Sequence, residues 1–355
     1  MSSKRIAVVI ASDVLGGHEF QSAELAYQIG QGREVVILLN RRHFLPTFEI
    51  KKLNCEVHEG LFFNDGNVAK QILRGFLKQK KIAEALIGFD QVVVCAGAVE
   101  ASVATGIASR LHGVDPILYL PFFYDRRVVW GCVGSIYNVL LRTLMNIYSQ
   151  LITINAIQAR LVRVCYKGLV SVVNNVVEDV PPLRLGPGLP RLVFIGRLDG
   201  QKRILELITA LDFPENPYKH FVIIGDGPLR EQMCLAIEQA RHIQIQYLGW
   251  LNTQDQTEIL RPTDILVLNS VIEGEPIVLR EAAARGMLTV VADIPGVRGV
   301  TQRRFRYKNI DDLRHMLIKL YSNKFDDDFV KKFKLDSNKR VRQLNRIFDS
   351  ASCNQ

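Results

Sequence analysis

The sequence predicts an α/β protein of two domains, each built on a parallel sheet. Three observations carry that expectation. Short apolar runs alternate with amphipathic stretches along most of the chain, which is the rhythm of strands joined by crossover helices. The rhythm breaks once, at the Pro/Gly-rich stretch Glu178-Asp-Val-Pro-Pro-Leu-Arg-Leu-Gly-Pro-Gly-Leu-Pro190, and then restarts. A chain of 355 residues is also long for one core, and its 48% hydrophobic content can fill two.

In the first half the apolar runs predict strands over 6–11, 35–39, 92–96, 117–120, 151–154 and 170–173. After the connector they predict strands over 192–195, 221–224, 243–248, 265–268 and 288–292. The expected division is a first domain over 1–180, a linker over 181–190 and a second domain over 191–325. From about Asp326 to 355 the chain reads as a charged helical segment. Ligands of open α/β sheets bind beyond the carboxyl ends of the strands, so two such domains facing each other would enclose a cleft.

Composition narrows the function. Six cysteines, at 55, 95, 132, 165, 234 and 353, form no Cys-x-x-Cys pair; several sit in apolar runs as buried thiols. This argues for a reducing compartment and against a zinc site or disulfide frame. Lys4 and Arg5 lead directly into a strand, so no signal peptide is expected. The stretch over 139–157 is broken by Arg142, Asn146, Ser149 and Gln150 and makes a poor membrane span. A net charge of +9 calls for an anionic partner, yet no nucleic-acid-binding motif accompanies it. Lys70, Arg74, Lys78, Lys80 and Lys81 lie beside Ile72, Leu73, Phe76 and Leu77 at helical spacing, and Arg126 and Arg127 precede an apolar stretch over 133–148. Both segments suit either an anionic membrane surface or an amphipathic helix packed on its own sheet.

The chemistry concentrates after the strand over 264–269, in Asn269-Ser-Val-Ile-Glu-Gly-Glu-Pro-Ile-Val-Leu-Arg-Glu-Ala-Ala-Ala-Arg-Gly286. A helix is expected over 277–285, stopped by Gly286, with Pro276 in its first turn. The free amides around Ile277 would face the loop Glu273-Gly274-Glu275-Pro276 and seat phosphate or sugar oxygens. Glu281, just over one turn further on, can accept from a ribose cis-diol, and Glu273 stays on the loop nearer whatever the phosphate carries. After the strand over 192–195, Gly196-Arg197-Leu-Asp-Gly-Gln-Lys202 supplies a forked donor and a point charge for a pyrophosphate. Gly225-Asp-Gly-Pro228 and Leu248-Gly-Trp250-Leu end the next two strands. In the first half, Gly16 and Gly17 allow a sharp turn into a helix that opens with His18 and Glu19.

The string Glu273-Gly-x-Pro276-x-x-x-x-Glu281-Ala-x-Ala-x-Gly286 resembles the donor-site signature of the family 4 retaining glycosyltransferases, which are nucleotide-sugar enzymes of the GT-B fold. Gly196-Arg197-Leu-x-x-x-Lys202 resembles the element that holds the donor diphosphate in that family. The Gly16-Gly17-x-Glu19 loop is similar to the one that closes over the donor phosphates. Val172-Val-Asn-Asn-Val176 is similar to the Pro-Asn-Gly-Val element that ends the first domain. The matches run from about residue 5 to 300. They imply a GT-B chain whose terminal segment crosses back to the first domain, and a nucleobase pocket beside Leu248 and Trp250, with Trp250 equally placed to be core. Glu273, Arg197 and Lys202 are the implied catalytic groups.

Two departures stand out. Many members carry a His at the end of a mid-domain strand, whereas Leu118-Tyr-Leu-Pro-Phe-Phe-Tyr-Asp125 has none; His18, Glu19 and Asp125 are the acceptor-side candidates. Glu275 replaces a residue that is usually hydrophobic, and either selects a sugar hydroxyl pattern or points to solvent.

The resemblance implies transfer, with retention, from a nucleotide-diphosphate sugar to a glycan or lipid-linked acceptor in cell-envelope assembly. No cofactor or metal is expected, Asp326-Asp-Asp328 reading as a solvated helix start. The expected location is cytoplasmic, at the inner face of the membrane. A GT-B epimerase and a degenerate binding or scaffold subunit are the alternatives. A dinucleotide-binding dehydrogenase would need Gly-x-Gly-x-x-Gly after the first strand, and 11–17 lacks it.

Overall fold

The computed structural model describes residues 5–12, 17–42, 45, 52–62, 68–175, 177 and 180–322. These form two compact units that divide between residues 176 and 177. The tail over 326–355, with Asp326-Asp-Asp328 and the proposed return to the first domain, lies outside the described residues.

The first unit is a seven-stranded parallel sheet in the order β3-β2-β1-β4-β5-β6-β7. Its strands are β1 (Arg5–Ile10), β2 (Glu34–Leu39), β3 (Asn54–Val57), β4 (Gln91–Cys95), β5 (Asp115–Tyr119), β6 (Gln150–Thr153) and β7 (Leu169–Val172). The helices between them are α1 (Gly17–Ile29), α2 (Val68–Leu77), α3 (Gln79–Ala85), α4 (Val99–Leu111), α5 (Arg127–Met145) and α6 (Ala156–Cys165). The strands read as continuous apolar runs because both faces are covered. Ala7, Val9, Val36, Val92 and Val94 pack with Val68, Ile82, Val103, Leu141 and Val162 from α2 to α6. Their neighbours Ile6, Val8, Ile37, Val93 and Cys95 pack on the other face with Leu25, Ala26 and Ile29 of α1. Period-two alternation thus divides one strand between two cores.

The second unit repeats the plan with six parallel strands in the order β10-β9-β8-β11-β12-β13. They are β8 (Leu192–Ile195), β9 (His220–Ile224), β10 (Gln244–Tyr247), β11 (Ile265–Leu268), β12 (Leu288–Ala292) and β13 (Arg306–Tyr307). Its helices are α7 (Ile204–Leu211), α8 (Arg230–Gln239), α9 (Thr253–Gln256), α10 (Ile277–Ala284) and α11 (Ile310–Ser322). One core joins Phe194, Phe221, Ile265 and Val290 to Leu207, Leu279 and Leu313. Below it the Arg191 guanidinium forks onto the fully buried Asp264 carboxylate at 2.9 and 2.8 Å, tying the entry of β8 to that of β11. Residues 181–190 run without regular structure, and the Arg184 amide donates to the Thr257 carbonyl at 3.0 Å.

All eleven expected strands form, with ends within two residues of expectation. The two that the sequence did not show are β3 and β13, each at the edge of its sheet. In β3 exposed and half-buried residues alternate, and β13 has two residues. Neither carries the apolar run that marks a covered strand.

The basic segments of the first unit fold differently from one another. Among the described residues, no helix is long and apolar enough to cross a membrane. On α2 the apolar Leu73, Phe76 and Leu77 face outward, as do Lys70 beside them and Lys80 and Lys81 on α3. On α5, Val133, Ile136 and Val139 are exposed while Leu141, Leu144 and Met145 are buried. Both α2 and α5 pack against α4. Arg126 and Arg127, which precede the apolar stretch over 133–148, are both paired. Arg126 is buried, paired with Glu100 at 2.6 Å and stacked over the Tyr124 ring at 4.0 Å. Arg127 is clamped by Asp125, its Nε 2.8 Å from Oδ2. Lys78 is also engaged, donating to the Gly60 carbonyl at 2.8 Å.

Candidate functional site

Strand order locates the site of the second unit. The connections run one way from β8 through β9 to β10 and the other way from β11, so the switch point lies between β8 and β11. An open sheet splays its loops apart there and leaves room for a ligand. The loop leaving β8 is Gly196 to Arg203, and the loop leaving β11 is Asn269 to Pro276. The two richest motifs of the sequence therefore meet at one place.

Side chains lace these loops together. The Lys202 ammonium donates to the Glu273 carboxylate, with 16% and 10% of the two side chains exposed. Gln201 works on both sides of the same junction: its side-chain amide donates to the Ile272 carbonyl at 2.8 Å, and its own carbonyl accepts from the Val271 amide at 2.9 Å. Asp199 organises the first loop, accepting from Arg197 Nε at 2.6 Å and from the Lys202 amide at 3.0 Å. Asp199 and Gln201 went unassigned in the sequence, although Asp199 three residues before Lys202 is the spacing of a side chain that caps a turn. The Arg197 side chain remains 62% exposed at the rim. Each of the two cations is thus held by a carboxylate.

Backbone constraints set the floor. Gly225 has φ +145°, and a Cβ there would meet the Gly196 carbonyl oxygen at 1.9 Å. The Gly225 amide donates to the Gly249 carbonyl at 2.7 Å, so the loops after β8, β9 and β10 close on one another through main chain alone. Leu248 is half-buried and its amide donates to the Ile223 carbonyl at 3.0 Å. Trp250 is 65% exposed, which removes the core reading of its indole.

Helix α10 starts at Ile277, and Pro276 is its cap, with extended backbone at φ −66° and ψ 117°. That places Pro276 one step before the first turn rather than in it. The Leu279 amide turns back to the Pro276 carbonyl at 3.1 Å. Glu281 is half-buried, and burial raises its carboxyl pKa above the ordinary value against the opposing pull of Arg285. Arg285 is pinned by Gln256 Oε1 at 2.8 Å and by the Thr253 carbonyl at 3.0 Å. Glu275 does not point to solvent. Its side chain is 3% exposed and accepts from Arg280 Nε at 2.5 Å.

In the first unit the switch point lies between β1 and β4. Gly16 lies outside the described residues, and Gly17 opens α1. The His18 ring stacks over Tyr119 at the end of β5, with centroids 6.1 Å apart, and lies 4.0 Å from where a Gly97 Cβ would stand. Both ring nitrogens are buried. Burial lowers the His18 pKa, against smaller opposing effects of Glu19 and the Cys95 carbonyl. Glu19 is buried on the same turn. Asp125 is elsewhere occupied: Arg127 and Asn138 saturate it and hold its carboxyl well below the usual range. It has no capacity left as a base. Of the cysteines, Cys95 alone is fully buried among the described residues, its thiol pushed up to about 12 by burial, and Cys132 is exposed.

Comparison with known proteins agrees with this geometry. The family described as "Glycosyl transferases group 1" matches residues 178–335. An Escherichia coli protein named UDP-Gal:alpha-D-GlcNAc-diphosphoundecaprenol alpha-1,3-galactosyltransferase is 30% identical over 152 residues, 39% of each chain. The chain thus aligns with well under half the length of that curated relative, and with less of two others. Solved structures are similar over nearly the whole chain. The lipopolysaccharide outer core galactosyltransferase WaaB has a TM-score of 0.70 at 18% identity, covering 98% of this chain and 99% of its own. Anabaena Alr3699/HepE, solved with UDP and glucose, has a TM-score of 0.71 at 15% identity, covering 99% and 100%. Likeness at such identities speaks for the fold, which is GT-B, while the sequence match makes the region 178–335 similar to the glycosyl transferases group 1.

Proposed function

We propose that the protein is a metal-independent, retaining glycosyltransferase that moves a sugar from a nucleoside-diphosphate sugar to an acceptor hydroxyl. The observation that carries this reading is the junction of the β8 and β11 loops, where Lys202 donates to Glu273, Gln201 bonds Val271 and Ile272, and Arg197 stands exposed beside Asp199. As the glycosidic bond breaks, the leaving diphosphate gathers negative charge, and these donors stabilise it in place of a metal ion. Glu281 accepts from the ribose diol. Glu273, held by Lys202, orients the donor sugar and faces the developing positive charge. Retention rests on the resemblance to family 4. Uridine is the base to test first, because the E. coli relative is named for UDP-Gal and HepE was solved with UDP. The same relative's name gives a diphosphoundecaprenol-linked acceptor, which supports a lipid-linked acceptor in cell-envelope assembly. An enzyme working on such an acceptor sits at the inner face of the cytoplasmic membrane.

The test is nucleotide release from UDP-, GDP- and ADP-sugars, with and without a lipid-linked acceptor. Arg197→Ala and Lys202→Ala are expected to lose about ten- to hundredfold in kcat/KM, the scale of one charge-assisted hydrogen bond. Glu273→Ala lowers kcat more than it raises KM. Activity persists in EDTA. Wild-type turnover in all three variants sinks the donor-site assignment, and loss in EDTA restored by manganese sinks the metal-independent mechanism.

A further inference from the structure

Glu273 and Glu275 are two residues apart on one loop, yet their carboxylates go in different directions. Glu273 takes Lys202 from the β8 loop, and Glu275 takes Arg280 from the middle of α10. The second pair is almost completely enclosed, with 3% of the Glu275 side chain and 10% of the Arg280 side chain exposed. It closes the span 275–280, which contains Pro276 and the first turn of α10. The loop is gripped from a third side by Gly296, where a Cβ would come within 2.0 Å of the Glu273 carbonyl oxygen.

We propose that Glu275 and Arg280 act as one positioning unit, a clasp that fixes Glu273 and the α10 amides relative to the donor without itself touching the sugar. The proposal rests on the donor-site reading above. Its physical basis is that a buried carboxylate paired with a buried guanidinium has one low-energy arrangement, whereas the loop between β11 and α10 has no backbone ladder to set its path. Removing one partner strands the other charge in a buried site, and the stranded group moves toward water and takes the loop with it. Removing both leaves an apolar contact that fills the same space, and the loop path survives. With 3% of the Glu275 side chain exposed and one of its oxygens held by Arg280, the pair is expected to set rate rather than sugar preference.

The experiment compares wild type with Glu275→Leu, Arg280→Leu and the double variant. UDP binding is measured by calorimetry, nucleotide release is followed with UDP-galactose and UDP-glucose, and each protein is melted. Each single variant is expected to bind UDP within about threefold of wild type and to lose up to about a hundredfold in kcat, the cost of a misplacement of roughly an ångström. The double variant recovers most of that loss, with the ratio of the two donor sugars unchanged. Single variants with wild-type kcat, a double variant no better than the singles, or a changed sugar ratio each overturn the clasp. So does a result in which only melting temperature moves. Should wild type bind no UDP and release no nucleotide, the donor-site reading falls. The clasp, defined by the donor it positions, falls with it, whereas a wild type that turns over alongside unaffected single variants sinks the clasp alone.

Discussion

At the scale of single residues, burial sets the character of two titratable groups. Glu281 has its pKa raised from 4.5, chiefly by burial, so the folded state holds the proton more tightly than the unfolded chain. Above pH 4.5 the folded chain therefore binds more protons, and stability falls as pH rises through the raised folded pKa. Glu281→Gln removes this penalty and is expected to melt higher than wild type at neutral pH, while weakening UDP binding about tenfold through loss of a charged hydrogen-bond acceptor. Calorimetry of melting and binding on one sample checks both signs, and a variant that loses stability and keeps affinity contradicts the ribose role. His18 runs the other way. Its pKa is lowered from 6.5 by burial, so the unfolded chain binds the extra proton first and stability falls as pH drops below 6.5 toward the folded value. Replacing His18 with Phe, which keeps the stacking on Tyr119, is expected to narrow the difference in melting temperature between about pH 7.5 and about pH 5. An unchanged difference means that His18 is not the group that titrates.

At the scale of elements, the site is made by loops that touch one another through main chain, so small residues are decisive where a carbonyl fills the space. Gly296 shows this most directly, because its Cβ direction ends 2.0 Å from the Glu273 oxygen and 2.6 Å from its carbon. Gly296→Ala is expected to destabilise the second unit by about 1–3 kcal/mol, the usual range for overpacking. It should also raise KM for the donor, since the displaced backbone belongs to Glu273. A scan of melting temperature with the donor titration measures the two together, and unchanged values in both mean that the loop has room the structure does not give it. The same dependence explains what sequence reading left out. Gln201 has no motif of its own and joins the site because β8 and β11 are neighbours across the switch point, whereas Asp199 and Arg280 make local bonds to Lys202 and Glu275.

At the scale of the whole molecule, the outward apolar residues of α2 and α5 lie on helices that flank α4, with Lys70, Lys80 and Lys81 exposed nearby. That combination suits an anionic lipid surface better than it suits water. Each exposed lysine near such a surface contributes about 1 kcal/mol, so Lys80→Ala with Lys81→Ala is expected to weaken vesicle binding by about thirtyfold. Co-sedimentation with vesicles of rising anionic-lipid content, at low and high salt, checks this. Equal binding to neutral and anionic vesicles removes the electrostatic argument. Arg126 and Arg127 contribute nothing to it, because Glu100 and Asp125 already hold their charges.

The repeating pattern of apolar runs and the break at the Pro/Gly connector were enough to establish two parallel-sheet units and all strands whose two faces are covered, because burial on both faces writes a continuous apolar run into the chain. Local motifs were enough to nominate Arg197, Lys202, Glu273 and Glu281, because phosphate and diol chemistry requires those donors and acceptors close to a strand end or helix start. Tertiary structure decided what each charged group does. Glu275 and Arg280 are enclosed together, Asp125 is spent on Arg127 and Asn138, Arg126 is buried against Glu100, and Trp250 faces outward. Burial and pairing depend on which strands become neighbours and which loops they bring together, and a side chain's identity carries neither.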